Sequence, residues 1–504
     1  MEEGWSSPFG LDYVFILGER NRTPAIADSL GGLIGVRWVT FARVQWDWIE
    51  QKPPKDGVHV YDWSGLDDGV RQWQQYGVHI LIGLSTGSGW AKAPPKDEVY
   101  VYTGGLVEWY TKNKLSDNLP KPEYADDYRH YIHTLVERYD GDGVDDMPGL
   151  RFPVLYYQLG NEYCNEIFWG GTVEDYGTLL RETLEAARQA HPDVRIVLSG
   201  VSFGEFRGFY DDEMDPVTKA YVENRIAGVK ENERLQAAVE RADDFSKKSM
   251  RACDLYDVVD ARGPSFGKIV QCRNLLQELG CRGKQVWSAE IASNLPLEGK
   301  NAASITNYPA PARSLEYRKI LARPGHKDYA AVNAWYRGMQ AAHLVKSCMA
   351  ALSAGADRLM VGYAVDLQKR LTAGTNLSFS GLWSWSSQKP WPAAYTYGLL
   401  IRKLDGFRSC TRIPMPDKVY VYECVVRDGK KVLVAFYDDH LAQNHDVPVG
   451  SARVEIPFAR QRARLTHIIR EIEVAEPATE DLEARAGKLV LELGEYPIFI
   501  EPLP

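Results

Sequence analysis

Glu162, in LYYQLGNEY, and Glu290, in QVWSAEIAS, each follow directly on a short apolar run of this 504-residue chain. A charge placed just past an apolar strand loses water and is costly unless something compensates it. Two carboxyl groups held about 5–5.5 Å apart could break a glycosidic bond with retention of configuration, one protonating the departing oxygen while the other attacks the anomeric carbon. Either glutamate alone reads equally well as a helix-start acid or a salt-bridged rim residue. The pair at two strand ends is much harder to treat as incidental. Asn-Glu occurs three times, at Asn161-Glu162, Asn165-Glu166 and Asn232-Glu233. The last sits in VKENERL, a solvated helical face, and Glu166 falls a helical turn past the strand end. Only Glu162 directly follows a strand.

A parallel barrel is the architecture that would bring such distant positions together, because the loops after its strands share one face. The first 400 residues alternate short apolar runs with amphipathic stretches, the pattern of parallel strands and crossover helices. The expected strands are Tyr13–Leu17, Gly35–Phe41, Val78–Leu84, Val154–Leu159, Val194–Leu198, Leu255–Asp260, Gln285–Ala289 and Asp357–Gly362. Helices are expected at Leu66–Tyr76, Val173–His191, Tyr329–Leu352 and Trp391–Leu404, and the charged stretch from Asp215 to Met250 reads as an elaborated connection. Eight strands imply an α/β fold, a (β/α)₈ TIM barrel over residues 1–407. After Phe407, period-two alternation at Val419–Val426, Lys431–Tyr437, Arg453–Ile456, Leu465–Val474, Lys488–Leu493 and Ile498–Glu501 predicts an antiparallel β-sandwich over 408–504. Long connections after the third, fifth and seventh strands read as walls of a cleft. Tyr100, Tyr102, Trp109, Tyr308 and Tyr317 are their candidate lining residues.

Composition bounds the remaining classes. A 45% hydrophobic and 25% charged chain is an ordinary globular protein. The net charge of −9 and short basic clusters, such as Arg460–Arg464, argue against a nucleic-acid or anionic-membrane surface. No apolar run is long enough to span a membrane. The acidic opening MEEGWSSPFG lacks an export signal, so the expectation is a cytoplasmic protein, or an exported one whose signal is not in this chain. Seven cysteines without C-x-x-C spacing read as reduced thiols. His130 and His133 share a helix but lack an H-E-x-x-H cluster, and no phosphate-binding glycine loop is present. The expectation is therefore no metal, no cofactor and a carbohydrate partner, with homo-oligomerisation left open. The 14 Trp and 28 Tyr shift the odds slightly towards sugar, whose apolar ring faces stack on aromatic rings.

In these residues the chain resembles the clan A retaining glycoside hydrolases, where an Asn-Glu pair ends the fourth strand and a glutamate ends the seventh. The C-terminal sandwich also resembles those of the β-xylosidase and β-galactosidase-type families. The resemblance implies a retaining β-glycosidase with Glu162 as acid/base, Glu290 as nucleophile and Asn161 on the hydroxyl next to the anomeric carbon. It implies that Arg37, in VRW, supports the nucleophile, since a nearby guanidinium favours the ionised carboxylate. Trp383 or Trp385, in GLWSWSS, matches the clan's sugar platform, and Trp46 and Trp90 lie in segments similar to the clan's. The segment after the sixth strand departs from the pattern: VVDARGPSFG offers Arg262 instead of a histidine or tyrosine. Arg262 reads as a salt bridge ahead of a carboxylate or anionic-sugar contact. A transglycosylase using the same site, or a catalytically silent carbohydrate-binding barrel, is the alternative.

Overall fold

The structure, a computed structural model, describes residues 6–15, 23–94, 116–165, 168–202, 233–262, 266–292, 313–366, 379–384, 387–439 and 444–503. Eight parallel strands close into a barrel in sequence order. They are β1 (Phe9–Phe15), β2 (Trp38–Gln45), β3 (His79–Ser85), β4 (Tyr156–Leu159), β5 (Arg195–Val197), β6 (Val258–Asp260), β7 (Gln285–Ala292) and β8 (Arg358–Gly362). Within the barrel, Trp38, Leu81, Val197, Val258, Trp287 and Met360 pack together, with Tyr156 against them. Arg358 caps this layer, its guanidinium 3.9 Å from the ring centre of Trp38 and 5.0 Å from that of Trp287. The interior is thus filled, as small barrels require.

Several strands begin elsewhere than the apolar runs suggest, β4 and β6 starting two and three residues later than expected and β1 and β2 differing most informatively. β1 starts at Phe9, because Gly10 and Leu11 pair with both β2 and β8. β2 starts at Trp38 rather than Gly35, which sits in a left-handed turn at φ +76°, and continues past Phe41 to Gln45. Its register shifts between Phe41 and Val44 before Val44 and Gln45 rejoin β3. The shell includes α1 (Thr23–Ile34), α2 (Ser64–Gln74), α3 (Ala125–Tyr139), α4 (Val173–Ala190), α5 (Glu233–Arg251), α6 (Phe266–Glu278), α7 (Ser314–Leu321), α8 (Tyr329–Ser353) and α9 (Pro392–Lys403). Helix α4 starts on a capping box in which Thr172 and Asp175 satisfy each other's backbone N–H groups.

Cys253 and Cys281 are joined as a disulfide, against the expectation of reduced thiols throughout. The folding of α5 and α6 around β6 brings them together, which a separation of 28 residues does not reveal. The other five cysteines are free and buried.

After α9 the strands turn antiparallel. A six-stranded sheet runs in the order β14-β13-β16-β11-β10-β9, with β12 and β15 paired beside it. These are β9 (Ser409–Ile413), β10 (Val419–Val425), β11 (Lys431–Tyr437), β12 (Ser451–Pro457), β13 (Arg462–His467), β14 (Thr479–Glu483), β15 (Lys488–Gly494) and β16 (Ile498–Pro502). Edge strands β9 and β14 escaped the sequence reading because SCTRI and TEDLE carry the polar residues that protect sheet edges. Strand β10 shows why the larger sheet is apolar on both faces. Val419 and Val421 enter the sandwich core, while Tyr420, Tyr422 and Cys424 join the cluster that includes the barrel's shell helices. The sandwich therefore packs directly on the barrel.

One ion cluster is enclosed at that contact. Lys346 of α8 reaches Asp438 at 3.0 Å and also binds Glu495, and all three are at most 5% exposed. Lys346→Met would remove the cation that both acids share at this buried contact. Urea titration should show a loss on the order of 3–5 kcal/mol, the usual cost of breaking a buried pair by removing one partner.

Candidate active site

Four residues at the barrel mouth hold a left-handed backbone that non-glycine residues seldom adopt: Tyr13 (φ 51°), Arg43 (φ 54°), Glu162 (φ 49°) and Glu290 (φ 53°). Each costs about 1–3 kcal/mol, which the surrounding fold must offset. Tyr13, Arg43 and Glu290 coincide with register shifts in β1, β2 and β7. Such irregularities re-aim side chains at the ends of strands. Glu162 arrives differently, just beyond β4, where Gly160 turns at φ +84° against the ring of Tyr163. There the backbone N–H of Glu162 donates to the carbonyl of Ser199, beyond β5.

The two glutamates meet at Arg262, two residues after β6. Its Nε donates to Glu290 Oε2 at 2.8 Å and stands 3.9 Å from Glu162 Oε1. Both distances run to one nitrogen, so these two oxygens, one from each carboxyl group, are no further apart than the sum of the two. That limit includes the roughly 5–5.5 Å of retaining glycosidases and only the lower edge of the roughly 6.5–9.5 Å of inverting ones. Arg262 also reaches Asp260 at 3.3 Å and donates to the Tyr13 hydroxyl at 3.0 Å. Tyr363, directly after β8, donates its hydroxyl to the other oxygen of Glu290. Asp12 accepts the Glu290 backbone N–H at 3.1 Å, and Asp260 accepts that of Ala289 at the same distance. The backbone and side chain around Glu290 are therefore held by residues from β1, β6 and β8.

The electrostatics separate the groups. Burial pushes the Glu162 carboxyl above its ordinary range, Arg262 pulls it back, and the charge of Glu290 raises it further. Burial likewise pushes Asp12 up to about 7, against the pull of Arg262. Asp12, Glu162, Asp260 and Glu290 all crowd this one guanidinium. Glu162 thus leans towards its protonated form beside Glu290, whose two oxygens are held by a cation and a hydroxyl.

The other expected site residues fare unevenly. Asn161 lies at the mouth, its side-chain carbonyl accepting from the Tyr13 hydroxyl at 3.3 Å. Arg37 does not reach the site. It is exposed at the opening of β2, where its carbonyl accepts from His79, so it lies at the barrel end away from the glutamates. The guanidinium on Glu290 is Arg262, and the arginine of β2 that lines the mouth is Arg43. Trp46 is completely buried, donating to Glu50 at 2.9 Å, and Trp383 is 1% exposed within the core. Neither presents a face to a sugar. Trp90 is half-buried, packed edge-on to Trp46 and Tyr124 with its Nε1 bound to the Glu50 carbonyl. Tyr317 is buried against Trp335. Trp385, Glu166, Tyr100, Tyr102, Trp109 and Tyr308 lie outside the described residues. Sequence reasoning passed over Tyr13, Asp12, Asp260 and Tyr363. Asp260 ends β6 and Tyr363 directly follows β8, so inspecting every strand end would have found these two; Asp12 and Tyr13 lie within β1, where no strand-end signal marks them.

The chain thus combines a (β/α)₈ barrel, a following β-sandwich and two glutamates brought together at the barrel mouth by β4 and β7. No protein-family model and no curated protein matches the chain. Solved structures do match over nearly the whole length. A family 39 glycoside hydrolase from Bacteroides cellulosilyticus WH2 aligns with 13% identity over 100% of this chain and 82% of its own, at TM-score 0.58. A monomeric β-xylosidase from Caulobacter crescentus CB15 aligns with 15% identity over 100% and 97%, at TM-score 0.54. A family 30 endoxylanase from Clostridium papyrosolvens C71 aligns with 12% identity over 98% and 96%, at TM-score 0.53. At these identities the likeness establishes a shared fold.

Proposed function

We propose that the chain is a retaining β-glycoside hydrolase in which Glu162 is the acid/base and Glu290 the nucleophile, carried by a catalytic barrel over 1–407 with a sandwich domain over 408–504. The observation that supports it most is the convergence of both carboxyl groups on the single guanidinium of Arg262. In the first step Glu290 donates an electron pair to the anomeric carbon while the leaving oxygen takes its bonding pair and the proton of Glu162. In the second, Glu162 removes a proton from water, the oxygen attacks the same carbon, and the ester bond's electrons return to Glu290. Configuration is inverted twice and so retained. A sugar hydroxyl in place of water gives transglycosylation by the same route.

The solved neighbours include a β-xylosidase and an endoxylanase, which makes aryl β-xylosides the first substrates to try. We expect turnover within an aryl β-glycoside panel, with the β-anomer as first-formed product by proton NMR. An α-anomer would overturn the retaining mechanism. Complete inactivity on a broad panel, equal to that of Glu290→Ala, would favour the silent carbohydrate-binding barrel.

A further inference from the structure

We propose that Arg262 is a positioning residue for both displacement steps, gripping Glu290 in the free enzyme and becoming the counter-ion of Glu162 once Glu290 is esterified. The inference rests on the glycosidase reading above. It starts from a grip that engages all three nitrogens. Nε and Nη2 lie 2.8 and 2.7 Å from Glu290 Oε2, Nη1 lies 3.3 Å from Asp260, and Nη2 donates to Tyr13 at 3.0 Å. The Lys268 ammonium donates to the Arg262 carbonyl at 2.6 Å and fixes the backbone beneath it. At 6% exposure, with each nitrogen engaged, the guanidinium is committed to the protein and is not offered to an anionic sugar.

Esterification changes who needs that charge. When Glu290 spends its electron pair on the anomeric carbon, its formal charge disappears. The proton that Glu162 gives to the leaving group creates a carboxylate 3.9 Å from the same Nε. The cation therefore faces one active-site anion before the step and the other after it, without moving. The groups facing Glu162 are Arg262 and Lys268, which favour its ionised form, and Glu290 and Asp260, which oppose it. Tyr13 and Cys164 also lie within its field. Esterification removes Glu290 from that set and leaves Arg262 as the leading influence favouring a base. Asp12 remains against Arg262 throughout.

The test uses Arg262→Gln and Arg262→Lys in the full chain. The substrate is an aryl β-glycoside with a leaving group good enough that deglycosylation limits kcat. The acid limb of kcat then reads Glu162 in the intermediate. In Arg262→Gln that limb should move up by about one pH unit and kcat/KM should fall by about 100-fold or more, as expected when a cation leaves a carboxylate. Arg262→Lys should return the limb close to wild type while recovering only part of the rate, because an ammonium cannot reproduce the fork. Limbs that superimpose on wild type in Arg262→Gln, with a uniform loss of rate, would mark a merely structural role. Should Arg262→Gln fail to fold, a wild-type rate in Arg262→Lys would overturn the proposal equally. Glu290→Ala assayed alongside separates the two readings. If it keeps wild-type activity, Glu290 is not the nucleophile and the proposed mechanism falls; if azide rescues it while the limbs stay fixed in Arg262→Gln, only the role of Arg262 falls.

Discussion

Glu290→Ala should lose on the order of 10⁵-fold in kcat, the scale seen when a covalent nucleophile is removed, and azide should restore turnover by making a glycosyl azide of α configuration. The small anion would occupy the volume vacated by the side chain and attack the anomeric carbon from the same face, with Glu162 still protonating the leaving group. A single inversion then replaces two. The side chain is 16% exposed, and Tyr363 and Arg262 hold its two oxygens, so the variant leaves a hydroxyl and a guanidinium converging on the space. Anion binding there is thus favoured by the same donors. Azide that restores nothing, or a β-azide product, would remove Glu290 from the nucleophile role.

Glu162→Ala should give the complementary result. With a poor leaving group the loss should be about 10²–10⁴-fold, because departure then needs a proton. With a dinitrophenyl leaving group the first step should survive and a glycosyl-enzyme should accumulate, seen as a burst of phenolate. Azide should release it as the β-glycosyl azide, the opposite anomer to that from Glu290→Ala. The wild-type pH profile should carry the signature of the same residue. Burial and the neighbouring Glu290 raise the Glu162 carboxyl, so it stays protonated to a higher pH than an ordinary glutamate. Activity through the acid is present below that raised value and falls as pH rises through it. The basic limb of kcat/KM should consequently lie above the usual carboxylate range and vanish in Glu162→Ala for activated substrates. A basic limb unchanged by the substitution would assign it to another group.

Glu162 and Glu290 were readable in the chain for a local reason. Each ends an apolar run short enough to be a strand, and a strand's end is a local property of sequence. The same locality explains the errors. Arg37 and Arg43 stand six residues apart on one apolar stretch, and which of them reaches the mouth depends on where β2 starts and where its register shifts. Trp46 and Trp383 carry large faces, but burial by neighbours from distant segments leaves those faces unavailable.

The chain by itself determined the alternation of strands and helices, the change to antiparallel pairing after Phe407, and the two strand-end glutamates. All follow from periodicity and from the cost of charge beside apolar runs, which neighbouring residues set. Only the tertiary structure decided that Arg262 stands between those glutamates, that Tyr363 and Asp12 hold Glu290, and that Cys253 meets Cys281. Barrel closure sets these meetings by joining β1 to β8 across most of the barrel's length of chain, and so brings Tyr13 to a hydrogen bond with a residue 249 positions away. No local pattern encodes a contact of that length, because its partners share only the geometry of the closed sheet.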